Sequence, residues 1–432
     1  MNHHREKVYF LIFLAMLGII IASVYAGGPL AVTGVDADQP GQPYRWILNP
    51  IPYRTDQGGL GNQSNTQAND LVSSAFQVWG NVSTAAINIE NSGSLDSDIN
   101  STNIFTFLNA VQNCSDITQP TASIIYDVDG SIITAMGGDN NSTLGFAGNV
   151  CANDEAGIYT RGLSLLNGRF IDGQPATPGH NTVSINVFRR VFVHEFGHLL
   201  GLDHAQINLN CLTEISCPSQ DWAGVPVMFP ILMEEAGGNL KVDDIAAISR
   251  LYPDPSFSAT TGRIQGRVFF SDGQTQAQGY NVIARKVGDP RTTAASNVSG
   301  FLFTASAGNA FYPDPQATES PYGSRDQTLI GYYDIAGLPP GDYTIEVEAI
   351  YNSSLYSFTG GSSVGPIGDY ADFQFKMPGI CNPQYLNFPS NPSDSCSAST
   401  TVTVGAGSVV STNTDVILLG TPSRFDAWED EP

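Results

Sequence analysis

The sequence predicts two halves of different class, an α+β half with a mostly parallel sheet and long helices, followed by an all-β sandwich. Three observations carry this. Up to about Pro255, helical periodicity and short apolar strand runs are interleaved. Beyond Pro253-Asp254-Pro255, apolar and polar residues alternate with a period of two, and turn residues separate the runs. The length of 432 residues and an apolar share of 41% fit two or three cored domains and exclude a wholly disordered chain.

In the first half, Val72, Ala75, Phe76 and Trp79 recur at three- and four-residue spacing and predict a helix over 71–82, capped by Asn69 or Asp70. Ser123-Ile124-Ile125-Tyr126 reads as a buried strand that ends in the turn Asp127-Val128-Asp129-Gly130. A second strand is expected over 158–166. A second helix is expected over 183–200, closed by Gly201, and a third over 243–251, stopped by Pro253. In the second half, Ile264, Gly266, Val268 and Phe270 form one alternating strand. Tyr343, Ile345, Val347 and Ala349 form another, opposite Thr344, Glu346 and Glu348, which predicts one buried and one wet face. Val416 to Leu419 reads as a final strand. No fixed-period repeat marks a solenoid.

The N-terminus points to export. Arg5 and Lys7 precede an apolar run from Val8 to Val24 that ends in Val24-Tyr25-Ala26, the parts of a signal peptide cleaved after Ala26. A retained anchor helix is the alternative reading. No later stretch is long and apolar enough to span a membrane. With 18 basic against 41 acidic residues, a net charge of −23 argues against nucleic acid or an anionic membrane as main partner. Cys114, Cys151, Cys211, Cys217, Cys381 and Cys396 form an even set without CxxC spacing, which favours disulfides over zinc or redox motifs. Proximity suggests Cys211–Cys217 and Cys381–Cys396, leaving Cys114–Cys151, and buried free thiols are the other reading. Asp127, Asp129 and Asp139 offer hard oxygens for calcium, or equally simple polar turns.

The chemistry concentrates in one stretch. His194-Glu195-Phe196-Gly197-His198-Leu199-Leu200-Gly201-Leu202-Asp203-His204 reads HExxHxxGxxH. His194 and His198, four apart on a helix, project from one face and can bind one ion. Gly201 lets the chain leave the helix sharply and bring His204 back as third ligand. Three neutral imidazoles leave one tetrahedral position for water, the arrangement of a catalytic zinc site. Glu195 is placed to act as general base and acid. Val227-Met228-Phe229-Pro230 follows, and a Met in a tight turn under the metal is the other half of a metzincin signature.

These residues resemble the matrixin-like metzincin peptidases. Ala75 to Ser83 looks like that family's first helix and Asp243 to Pro253 like its closing helix, so the resemblance covers roughly residues 40 to 255. It implies a twisted, mainly parallel sheet above the zinc helix, and a lower part carrying the Met-turn. It also implies that an extended peptide or unfolded protein lies along the sheet's one antiparallel edge strand. Ser142 to Gly148, with Leu144, Gly145 and Phe146 at its centre, is the candidate edge; an ordinary loop is the other reading. Pro230 would wall a specificity pocket. The chain departs from the family at Ala205, where Ser or Thr is usual, and in the 24-residue gap from His204 to Met228. Only His180 is spare for a second zinc, and it reads as an exposed loop residue.

The second half contains no histidine. Gly262 to Val268, Asn297 to Phe301 and Ile335 to Ile345 resemble the carboxypeptidase regulatory-like, transthyretin-type sandwich, which implies a spacer or adhesive piece, with an extracellular ligand as its partner. The expected organisation is a signal peptide over 1–26, a peptidase domain over 27–255, a sandwich over 256–420 and an acidic tail over 421–432. The expected function is a secreted, monomeric zinc metalloendopeptidase. The alternatives are an adhesion protein with a vestigial peptidase-like half and a zinc hydrolase of non-peptide amides.

Overall fold

A computed structural model describes residues 28–34, 37–114, 120–209, 211, 219–232, 238–303, 323–324, 326–350, 384–385 and 400–418. The expected signal peptide, Cys217, Cys381, Cys396, Leu419 and the acidic tail lie outside the described residues. The protein is mixed α/β, with several sheets and a β-rich second half.

Five strands build the first sheet: β1 (Ile51–Thr55), β2 (Ile89–Ser94), β3 (Thr121–Asp127), β4 (Gly145–Asn153) and β5 (Ile158–Asn167). Their order is β2-β1-β3-β5-β4. β1 pairs in parallel with β2 and β3, and β3 with β5; β4 pairs antiparallel with β5 and forms an edge. Both faces are covered, as a parallel sheet requires. On one face lie helix α1 (Asn65–Gly80) and helix α4 (Ile185–Leu199), in a core that includes Ile124, Leu166, Phe76, Trp79, Phe192 and Phe196. The Phe76 and Phe196 rings stack with centroids 3.8 Å apart. On the other face, α2 (Ile104–Val111) and α3 (Ser131–Ala135) bury Ile104, Leu108, Ile132 and Ile133 against Ile125, Leu163 and Leu165. A Cys114–Cys151 disulfide ties the end of α2 to β4, and Cys211 is also disulfide-bonded.

Helix α1 begins six residues before the sequence expectation. Ser64, not Asn69 or Asp70, is its cap: the Ser64 hydroxyl accepts from Gln67 N, and the Gln67 side chain accepts from Ser64 N. This reciprocal box sits ahead of the first apolar position, so periodicity alone misses it.

After α5 (Ser219–Gly224), α6 (Val242–Leu251) and α7 (Pro255–Thr260), two sheets enclose a second core. One contains β7 (Tyr280–Lys286), β8 (Ala294–Val298), β10 (Gly341–Ala349), β11 (Gln384–Tyr385) and β12 (Thr401–Val404). The other contains β6 (Gly262–Phe269), β9 (Tyr332–Leu338), β13 (Val409–Val410) and β14 (Val416–Ile417). Val268, Val282, Tyr333, Ile345 and Val404 meet between them. The joint at Pro253-Asp254-Pro255 is no free linker. Asp254 caps α7 through Ser256 N (2.8 Å), and Asp254 N bonds Thr84 O (3.1 Å).

The wet face expected on β10 is not wet. Glu346 is buried and Glu348 is half-buried, because the first half is docked on that face. Arg285 ion-pairs with Glu346. From α6, Ala246 enters the second core, Arg250 reaches Asp334 and stacks over Phe301 at 4.6 Å, and Asp243 Oδ1 accepts from Ser296 N (2.7 Å) and Oγ (3.2 Å).

Burial, with the neighbouring Asp244 carboxylate, pushes Asp243 up to about 7 from 3.8. A carboxyl raised on folding stabilises the fold below its unfolded value, and that contribution is lost as pH rises through the folded value. Asp243→Asn retains the acceptor for Ser296 and removes this loss. Its urea midpoint should therefore rise against the parent at pH 8 and move less at pH 5; an equal shift at both would rule the mechanism out.

Candidate metal centre

Helix α4 starts at Ser184, whose hydroxyl accepts from Val187 N (3.3 Å), and carries His194, Glu195 and His198. Its C-terminal carbonyls are taken up by aromatic donors: Trp46 Nε1 donates to Leu199 O (2.8 Å) and Tyr252 Oη to Leu200 O (2.7 Å). The chain then turns back at Gly201, which sits at φ 96°, with Gly201 N on His198 O (2.9 Å) and Leu202 N on Gly197 O (2.9 Å). A Cβ on Gly201 would lie 2.9 Å from Tyr159 Cε2. Conformation and space both demand glycine here.

The turn delivers His204 to the two helical histidines, and the three form the one group of metal-ligating side chains of this kind found among the described residues. His194 Nδ1 bonds Val227 O (2.7 Å) and His198 Nδ1 bonds Leu202 O (2.9 Å). A carbonyl accepts only, so both Nδ1 atoms carry the proton and both Nε2 atoms present bare lone pairs. Those two Nε2 atoms lie 3.1 Å apart, and His204 Nε2 lies 3.1 Å from that of His194. Ligand nitrogens on one tetrahedral ion with bonds of about 2.0–2.1 Å would sit about 3.3 Å apart. Facing lone pairs at such distances repel unless a cation lies between them, so the trio fits a metal ion. Burial holds His198 down at about 4 and His194 and His204 well below the ordinary histidine value, which keeps the rings neutral.

Glu195 points past the trio to the edge strand. Its carboxylate accepts from the Ala147 backbone, and a Cβ on Gly145 would lie 3.6 Å from Glu195 Cγ. Burial pushes its carboxyl up to about 8. Of the expected edge residues, Gly145 and Phe146 open β4 and Leu144 immediately precedes it, so the sheet edge that no strand among the described residues pairs with runs beside Glu195. Asn149, further along β4, donates to His198 O (3.3 Å).

Met228 lies buried beneath α4. A Cβ on Gly197 would come within 2.2 Å of Met228 Sδ and 3.0 Å of Trp79 Cζ2, so the small residue between the two helical histidines is what lets the Met segment close on the helix. Met228 O accepts from Ala205 N (2.8 Å). Asp244 holds this segment: its two oxygens accept from Val227 N (2.9 Å), Met228 N (3.1 Å) and Lys241 N (2.8 Å). The sequence reading placed Asp244 in a closing helix and gave it no part in the site. An acidic residue in a helix's first turn was the available signal. Pro230 is half-buried next to buried Phe229.

The expected calcium residues are not gathered. Asp127 is buried and accepts from Ile132 N (3.1 Å) and Ile133 N (2.9 Å) at the start of α3. Asp129 accepts from Ser131 N, and Asp139 from Asn141 N and Ser142 Oγ. Each carboxylate serves local backbone and turns. His180, expected as an exposed loop residue, is half-buried and pairs with Asp172 at 3.3 Å.

No helix among the described residues is long and apolar enough to cross a membrane. No family model and no curated protein matches the chain. Among solved structures it is similar to BcpA, the major pilin subunit of Bacillus cereus, at 12% identity with a TM-score of 0.18. That likeness covers 38% of this chain and 31% of the pilin, and at that score it fixes neither fold nor function.

The turn at Gly201 makes one expectation concrete. Gly201→Ala forces a side chain into the left-handed region and against Tyr159, which should cost about 1–3 kcal/mol in denaturant unfolding and weaken cobalt(II) uptake in a titration. An unfolding midpoint equal to the parent's would contradict this account.

Proposed function

We propose that the chain is an exported zinc endopeptidase of the metzincin, matrixin-like type. The observation that carries this reading is the convergence of three neutral imidazoles, two buried and one half-buried, beside one carboxylate, on the flank of a sheet edge that pairs with no strand among the described residues. His194, His198 and His204 would hold the ion. When bound, zinc polarises a substrate carbonyl, acidifies a water and, as a nearby positive charge, favours ionised Glu195.

Every other part of the task falls to the chain itself. Glu195 takes the proton from the attacking water and passes it to the departing amine. The N–H of Ala147, bonded to the carboxylate, orients it. The open edge of β4 offers backbone donors and acceptors to an extended peptide, which would add as a further strand. Substrate would thus be recognised first through its main chain and second through pockets for alternate side chains. A disulfide in the first half agrees with an oxidising compartment.

The decisive experiment is metal analysis of the purified chain, together with degradation of a reduced, unfolded protein by the parent and Glu195→Gln. Both should carry one zinc per chain. The variant should cleave about 10²–10⁴-fold more slowly, the share a positioned general base supplies. A zinc-loaded parent that cuts no unfolded protein would sink the peptidase reading and leave a metal-binding adhesion protein.

A further inference from the structure

We propose that the β-rich half is a working part of the metal centre: one face of β7 positions the loop that carries His204, through Asn281 and Arg285. This rests on the metal reading of the histidine trio.

The three ligands are not held alike. His194 and His198 are fixed by helix α4 and by their Nδ1 bonds to backbone carbonyls. His204 lies beyond the helix, and its Nδ1 is buried without a hydrogen-bond partner. Its Nδ1 therefore gives the ring no orienting bond of the kind the other two ligands have, and its place is set by its own backbone and by the contact of its Nε2 with His194. Upstream, His204 N is held by Asp203 Oδ1 at 2.8 Å. Downstream, the chain runs directly onto the second half.

Three consecutive loop residues meet three residues of β7 in turn. Gln206 O accepts from Asn281 Nδ2 at 2.7 Å, and the Gln206 amide donates to Glu348 Oε1 at 2.6 Å. Ile207 packs with Ile283 and Ala294. Asn208, at φ 57°, accepts from Arg285 Nη1 at 2.9 Å and donates to Arg291 O at 2.9 Å. Positions 281, 283 and 285 lie on one face of the strand, because side chains alternate. Gln206, Ile207, Asn208, Asn281 and Ile283 are all essentially buried, so no exposed slack separates the strand from the loop. Arg285 is itself locked by its ion pair with Glu346. A neighbouring apolar contact repeats the design, with Phe229 of the Met segment packed against Val298 and Phe301.

Asn281 and Arg285 touch no ligand atom. They act as positioning residues, Asn281 through the backbone carbonyl of Gln206 and Arg285 through the Asn208 side chain, two and four positions after His204. Groups bonded directly to a metal ligand typically govern affinity by about 10–100-fold, and these two act one step further out, so the lower end of that range applies.

The test uses the full chain. Asn281→Leu keeps the bulk and removes the donor to Gln206 O. Tyr333→Phe removes a buried hydroxyl bond to Thr414 O, in the sheet that does not face the loop, and serves as the control for lost stability alone. Zinc affinity is read by chelator competition, and ligand geometry by the visible absorption of the cobalt(II) form. Asn281→Leu should weaken zinc binding by about 10-fold, the lower end of the range for groups bonded directly to a ligand, and alter the cobalt spectrum, while Tyr333→Phe keeps the parent's affinity and spectrum. Should Asn281→Leu fail to fold, Arg285→Lys takes its place, since it keeps the charge and loses the planar fork that reaches Asn208. Parent-like affinity in the loop-facing variant, or an equal loss in Tyr333→Phe, would overturn the proposal while leaving the metal reading intact. A parent chain that takes up neither ion would overturn both.

Discussion

Two imidazole nitrogens with bare lone pairs face each other at 3.1 Å in this protein, and a third imidazole closes on them. That arrangement is repulsive unless a positive charge sits among the rings. Much of the first half serves to hold it. Carbonyls of Val227 and Leu202 fix the protons on the far side of two rings. Glycine at 201 turns the chain, glycine at 197 admits Met228, and Asp244 pins the backbone of the Met segment. Most of these contacts are buried, and that between His194 and Val227 is part-buried, so the geometry does not readily relax to relieve the repulsion.

The same constraint explains why the edge strand matters. Glu195 is buried, and its carboxylate is met by the backbone of β4. The open edge of the sheet and the histidine trio therefore share one carboxylate. On the proposed reading, a substrate added to the sheet would be brought to the reacting groups by its own main chain, which would tie recognition to position.

The second half meets the first through polar groups as well as apolar ones. Asp243, Arg250, Asn281, Arg285, Glu346 and Glu348 are paired across or beside the boundary. Leaving such groups buried and unpaired is costly, so the two halves are mutually dependent surfaces rather than beads on a linker.

The local parts of this protein were legible in the sequence. The four-residue spacing of His194 and His198 and the glycine before His204 are short-range rules, and they specify a ligand set wherever a helix forms. Element types read well for the same reason, since periods of 3.6 and 2 are properties of the backbone. Helix α1 began early because its cap lies outside the apolar pattern. The pairing of Cys114 with Cys151 emerged from the sequence only by elimination. Tertiary structure alone decided which polar groups are buried: Glu346 alternates with apolar residues as a solvent-facing strand residue does, yet the loop after His204 covers its face of the sheet. It alone decided that Asp127 caps a helix and that Asp244 holds the Met segment. Alternation reports which side of a strand a residue occupies, and only the docked neighbour determines whether that side meets water.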